Sequence, residues 1–193
     1  MHESIITYIE KYSEIPLTET EIEVIKEVFV PKKIRKRQYF LQEGEVCKQG
    51  AFLVKGAMRE YKIDEKGLEH IVRLFTENWW VVDRESYDNL TPSMYYIDAW
   101  EDCEVLVFKR ENFKNRLLPM PAINKMMLRV YDNFAIAMHK RMSLMSLSPE
   151  ERYAFLTKNY PDLLQRFPQH ILASYLGVSR ETLSRARKNP LKK

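Results

Sequence analysis

From Ala122 to Ser148 the chain runs 27 residues without a glycine or a proline, and two apolar stripes cross that run at helical spacing. One consists of Ile123, Met127, Val130, Phe134, Ala137, Arg141 and Leu144, at alternating intervals of four and three. That is the seam of a coiled coil, interrupted by one polar position, Arg141. The other consists of Leu128, Tyr131, Ala135, Met138, Met142 and Met145. At about 100° per residue the stripes lie about 140° apart, so a helix here is apolar on two faces and must bury both. At about 1.5 Å per residue it spans about 40 Å. The simplest solution packs one stripe on its own domain and the other on a twin helix; the seam carrying Arg141 is predicted to be the dimer interface. A helix wholly enclosed in a single-chain core is the alternative.

The segments before this helix have a different texture. Thr18-Glu19-Thr20-Glu21 is a capping box, and Ile22, Ile25, Val28 and Phe29 follow at helical spacing until Pro31. From about Lys32 to Glu111, short runs rich in Val, Ile, Tyr, Phe and Trp alternate with turn signals such as Gln42-Glu43-Gly44 and Asp64-Glu65-Lys66-Gly67. Strands are predicted near 38–42, 51–55, 57–63, 68–75, 79–82, 94–100 and 103–109. That spacing suits a small antiparallel barrel or sandwich. The aromatics Trp79, Trp80, Tyr87, Tyr95, Tyr96 and Trp100 read as its core and rim, or as the lining of an apolar ligand pocket. The basic run Lys32–Arg37 reads as a solvated approach to the first strand or as a localisation patch.

Composition excludes several classes. With 45% hydrophobic and 30% charged residues the chain is neither disordered nor fibrous. The longest apolar run, Trp79–Val82, is far short of the roughly 18–20 residues of a membrane helix. The segment MHESIITYIEKY lacks a signal-peptide pattern. Cys47 and Cys103 are too few for a disulfide framework or an iron–sulfur cluster. His2, His70, His139 and His170 lack metal-ligand spacing, so neither a metal site nor a barrel enzyme is expected. A soluble cytoplasmic protein without a membrane partner is the expectation.

Charge is unevenly spread. The net charge is +4, and from His170 to Lys193 six basic residues face one acid, Glu181. A nearly neutral body with a basic end suggests a polyanionic partner. That end carries QHILASYLGVSRETLSRARK, Gln169–Lys188. Leu172 and Leu176 stand one turn apart beside the small Ala173, Gly177 supplies a left-handed turn, Ser179 is a natural N-cap, and Leu183 and Ala186 mark an inward face. This is the spacing of a helix-turn-helix. Outward on the second helix lie Arg180, Glu181, Ser184, Arg185 and Lys188. Arginine can bind guanine O6 and N7 together, and glutamate can accept from the cytosine amino group. Ser179 and Thr182, at the helix start, suit phosphate. Arg187, Lys192 and Lys193 suit backbone contacts that position without specifying. Double-stranded DNA is the predicted partner; the alternative is a ligand-binding module whose basic end engages a protein or membrane surface.

LGVSRETLSRARK resembles the recognition-helix signature of the catabolite activator, or Crp–Fnr, family of bacterial transcription regulators. FLQEGEVCKQGAFLVKGAMREYKIDEKG is similar to the opening strands of that family's cyclic-nucleotide-binding barrel, with Gly44, Glu45 and Gly56 at its turns. The resemblance implies an α+β chain: a sensor domain over 1–118 built as an antiparallel β-barrel of the double-stranded β-helix type, a dimerisation helix over 119–147, and a helix-turn-helix over 148–193. It implies a homodimer, Arg180, Glu181 and Arg185 as base readers, RNA polymerase as a further partner, and a small-molecule effector of unknown identity.

Departures from the pattern fall on the effector pocket, expected at Val82, Asp83, Arg84, Ser93, Met94, Met127 and Leu128. Where the family's cyclic-nucleotide binders have Gly-Glu and Arg-Ser, this chain has Val82-Asp83 and Ser93-Met94. The missing arginine removes a charge-assisted phosphate contact, and Asp83, Glu85 and Asp88 repel an anion. Met127 and Leu128 offer a nucleobase no hydrogen bonds. No cofactor is expected, and cyclic AMP is argued against. Pro190 stops the chain just after the recognition helix, so a full wing is not expected.

Overall fold

A computed structural model describes residues 1–188; Pro190, Lys192 and Lys193, on which the expectations about the wing and two phosphate contacts rest, lie outside them. Helix α1 (His2–Ser13) ends at Glu14, and α2 (Glu19–Val28) starts on the expected capping box. The Thr18 hydroxyl accepts the Glu21 N–H at 3.3 Å, and the Glu21 carboxylate accepts the Thr18 N–H at 2.9 Å.

Eight strands follow: β1 (Val30–Ile34), β2 (Tyr39–Leu41), β3 (Gln49–Lys55), β4 (Met58–Ile63), β5 (Glu69–Phe75), β6 (Trp80–Val81), β7 (Tyr96–Ala99) and β8 (Cys103–Lys109). Helix α3 (Arg84–Asn89) sits between β6 and β7. The strands form two four-stranded sheets, ordered β1-β8-β3-β6 and β2-β7-β4-β5. The pairings of β1 with β8, β3 with β8, β3 with β6 and β2 with β7 are antiparallel. The predicted barrel does not close: the architecture is α+β with two open antiparallel sheets. Closure needs a ladder long enough to join the outer strands, and β2 and β6 hold three and two residues. β1, missed in the sequence, carries Pro31, Lys32 and Lys33 on an exposed sheet edge, where the charges and the proline discourage pairing with another chain.

After β8 the chain turns through α4 (Arg110–Asn112) and a π-helical turn (Phe113–Leu117) into α5 (Pro121–Leu144). Helices α6 (Pro149–Asn159), α7 (Pro161–Arg166), α8 (Gln169–Leu176) and α9 (Arg180–Lys188) complete the described chain. α6 opens on a second capping box, Ser148 with Glu151.

Two compact units result: Met1–Glu60 with Phe75–Asn133, and Tyr61–Leu74 with the chain from Phe134 onward. The first unit buries Ile5, Ile9, Phe29, Phe52, Val81, Leu106 and Phe108. Rings of Phe29, Trp80, Phe108 and Phe113 meet edge-on or tilted at 4.7–6.4 Å. In the second unit, Leu156, Leu163, Phe167, Ile171, Leu172, Leu176 and Leu183 are buried.

The stripes of α5 exchange roles. Ile123 is wholly buried and Met127 nearly so, both in the first unit's core. Arg141 donates to backbone carbonyls of its own chain at Ile71, Val72 and Tyr175. Val130, Ala137 and Leu144 are half-buried, and Phe134 is exposed. The stripe left open is the other one: Leu128, Tyr131, Ala135, Met142 and Met145 are exposed and Met138 half-buried. The reason is local. The start of α5 packs inward through Ala122, Ile123, Met126 and Met127, which commits the first stripe to the chain's own core; heptad spacing alone could not say which stripe already had a partner.

Candidate functional site

The C-terminal helical pair is built as its spacing demands. α8 ends at Gly177, whose φ of 67° is the left-handed conformation that favours glycine. The Gly177 N–H donates to Ser174 O at 3.1 Å and the Val178 N–H to Ala173 O at 3.0 Å, a Schellman closure. Ser179 then starts α9: its hydroxyl accepts the Thr182 N–H at 3.1 Å, and its carbonyl accepts the Leu183 N–H at 3.0 Å. Ile171, Leu172, Ala173 and Leu176 of α8 and Leu183 and Ala186 of α9 are all buried. They are the apolar side of the helical pair.

The other side of α9 faces water. Ser179, Arg180, Glu181, Arg185, Arg187 and Lys188 are exposed; Thr182 and Ser184 are half-buried. Arg185 reaches back to the Thr182 hydroxyl at 3.4 Å, which leaves most of its guanidinium donors for a ligand. The Glu181 carboxyl is held below its usual range, first by its own backbone amide, then by the Ser179 hydroxyl, then by Arg180 and Arg185. It therefore stays ionised and acceptor-only at neutral pH. Four cations and one fixed acceptor on one rigid helix are what duplex recognition asks for: charge for phosphates, forked donors for guanine, an acceptor for cytosine.

The residues expected around an effector are divided between the interior and the surface. Asp83 is buried at 4% exposure and caps α3, accepting the Ser86 N–H at 3.4 Å. Arg84 pairs with Asp88 and lies over the Tyr131 ring at 4.3 Å. Ser93 is committed to its own turn: its hydroxyl accepts the Tyr95 N–H at 3.0 Å and donates to Tyr95 O at 3.2 Å. Met94 and Leu128 stand at the surface, 61% and 59% exposed, while Met127 is core and Val82 half-buried.

A cavity of about 400 Å³ lies elsewhere, lined by Phe40, Leu41, Val46, Cys47 and Gln49, with Glu45 and Lys48. Burial pushes the Cys47 thiol up to about 11, and the carboxylates of Asp83 and Glu60 add to that effect. The Tyr87 phenol is also raised, chiefly by burial, and its hydroxyl finds no hydrogen-bond partner among the described residues. Asp98 is buried too, and takes both nitrogens of the Arg59 fork at 2.9 and 3.0 Å. Among the described residues, no group of three His, Cys, Asp or Glu could hold a metal ion, and no helix is long and apolar enough to cross a membrane. Sequence reasoning missed α3 and Asp83's role in it. An Asp three residues before a Ser, followed by charged residues, is an N-cap signal that was legible.

Residues 31–118 match the cyclic nucleotide-binding domain family. The matched segment takes in α3 and its Asp83 cap. Solved structures extend the likeness in fold over most of the chain. It is similar to FixK2 of Bradyrhizobium japonicum at 19% identity and a TM-score of 0.69, over 83% of each chain. It is similar to CLP of Xanthomonas campestris, a c-di-GMP-responsive global regulator, at 16% identity and a TM-score of 0.66, over 89% of this chain and 90% of that one. It also resembles the catabolite activator protein of Thermus thermophilus at 19% identity and a TM-score of 0.55, over 89% of this chain and 83% of that one. At these identities the likeness to each of the three is one of fold. No curated protein matches the chain in sequence.

Proposed function

We propose that the chain is a sequence-specific DNA-binding transcription regulator that acts as a homodimer, and that its cyclic nucleotide-binding-type domain does not take a cyclic nucleotide. The observation that carries the reading is α9, capped by Ser179, wedged by Leu183 and Ala186, with Arg180, Glu181 and Arg185 facing water. The helical pair is then a helix-turn-helix with α9 as its recognition helix.

The exposed stripe from Leu128 to Met145 supports the dimer. A second copy laid along it removes several large apolar side chains from water at about 25 cal/mol per Å². Two copies also place two recognition helices on a two-fold-symmetric site with half-sites about 34 Å apart.

Asp83 supports the exclusion of cyclic nucleotides. Its carboxylate already occupies the α3 amide that an anion would seek. A phosphodiester brought there loses its hydration and gains no guanidinium in return. An effector for the domain would be neutral or apolar.

Anisotropy titration of the full chain on duplex DNA at rising salt tests the reading. Affinity that falls steeply with salt supports it, because each neutralised phosphate releases counterions; a flat salt response, or no binding at low salt, overturns it. Millimolar cyclic AMP is expected to leave the melting temperature and the DNA affinity unchanged, and an upward melting shift would overturn the exclusion.

A further inference from the structure

The end of α8 shows how the helix-turn-helix is fastened. The last four carbonyls of a helix have no partner within it. In α8, Ala173 O and Ser174 O are taken by the Schellman turn, which leaves Tyr175 O and Leu176 O. Each is taken by an arginine from another helix. Arg141 of α5 donates to Tyr175 O at 3.2 Å, and Arg152 of α6 donates to Leu176 O at 2.9 Å. Both bring a positive charge to the negative end of the helix dipole.

Neither arginine stops there. Arg152 also donates to Met145 O at 2.7 Å and Leu147 O at 3.1 Å, so it clamps the link between α5 and α6 to the same turn. Arg141 also donates to Val72 O and, at 3.4 Å, to Ile71 O of β5, and its guanidinium lies 4.3 Å from the Tyr175 ring centroid. Ser174 completes the attachment: its hydroxyl accepts the Ile71 N–H at 2.9 Å and donates to Glu69 O at 3.0 Å. β5 is the outer strand of its sheet, so a serine and an arginine take the place of a strand partner along its open edge. All of these contacts lie within the second compact unit.

Resting on the regulator reading above, we propose that Arg141 and Arg152 are positioning residues for DNA binding. They touch no base and no phosphate. They fix the helix-turn-helix to the far half of α5 and to the β4–β5 hairpin, so that the two recognition helices of a dimer are held at one separation. Arg141 is thereby a joint, where the dimer helix, the hairpin and the DNA-binding turn meet on one guanidinium. Without the joint, each recognition helix must be ordered when it docks, and that cost falls on the site whose spacing fits the fixed geometry.

The test is a set of operators whose half-sites are moved apart or together by one base pair, titrated with wild type, Arg141→Gln, Arg152→Gln and the charge-keeping Arg141→Lys. Wild type is expected to prefer one spacing. Arg141→Gln and Arg152→Gln are expected to lose about tenfold on that spacing and little on the shifted ones, so that spacing preference flattens. Arg141→Lys keeps the charge but loses the fork, and is expected to flatten it as well. An equal loss at every spacing, or a preference unchanged within twofold, overturns the proposal.

Amide hydrogen exchange on the DNA-free protein separates this result from failure of the regulator reading. Val178 and Ile71 amides are expected to exchange faster in Arg152→Gln and Ser174→Ala respectively. Unchanged exchange at both overturns the attachment even if DNA binds, whereas faster exchange in a protein that binds no duplex overturns the regulator reading and leaves the attachment standing.

Discussion

Helix α9 and the surroundings of α3 each concentrate polar side chains, and they use them in opposite ways. Along α9 the charges are left in water: Arg180, Glu181, Arg187 and Lys188 are exposed, and Arg185 makes one long contact. Around α3 and on β7 they are spent on partners within the chain. Asp83 caps the helix, Ser93 closes a turn, Asp98 is locked to Arg59, and Arg84 is held by Asp88 and Tyr131. A binding surface needs donors and acceptors that folding has not consumed. By that measure the outer side of α9 keeps donors and acceptors for a ligand, and the polar groups around α3 and on β7 keep few.

The comparison can be broken most violently in the interior. Asp98→Ala strips Arg59 of its bidentate partner in a buried setting and is expected to cost about 3–5 kcal/mol of stability in urea denaturation. A loss well under 1 kcal/mol would mean that this charge is solvated and still free to meet a ligand.

On the other side, Arg185→Ala is expected to leave stability unchanged while costing about 1–3 kcal/mol of discrimination at one base pair per half-site. Equal loss on matched and mismatched duplexes would make Arg185 a phosphate contact instead.

Ser179→Ala touches both properties at once. Removing the cap is expected to cost about 1 kcal/mol of stability, with Ser179→Asp restoring it in thermal melts. No loss would show that the start of α9 is held by the wedge alone.

The smallest effect is the acid response of the second capping box. The Glu151 carboxyl is held below its usual value by the Ser148 backbone amide first and the Ser148 hydroxyl second. Its folded-state pKa is depressed, so its stabilisation is present above the unfolded value and lost as pH falls through the folded one. Glu151→Gln is expected to flatten that part of the stability–pH curve below about pH 4.5, and an unaltered curve would contradict it.

Much of this is legible in the sequence. The two capping boxes, Gly177 at its turn, Ser179 at its cap and the buried set Leu172, Leu176, Leu183 and Ala186 all follow from local spacing, because each is fixed by neighbours within a few residues. What escaped depended on distant partners. The α5 stripe bearing Arg141 reads as a dimer seam until Ile123 and Met127 are seen in the core and Arg141 on β5 carbonyls. The barrel reads as closed until β2 and β6 prove too short to join the sheets. Ser174 and Arg152 carry no motif at all; their roles arise from carbonyls that only the folded chain brings near. The pocket residues were placed by resemblance, and no local spacing foretold that Met94 and Leu128 face water.

Selection of bound duplexes from a random library by the full-length chain tests the central claim most directly. The account predicts enrichment of a two-fold-symmetric motif with half-sites about one helical turn apart, and loss of base preference at one position per half-site when Arg185→Ala is selected in parallel. Recovery of unenriched sequence by the wild-type chain, or the same motif unchanged from the variant, would contradict it.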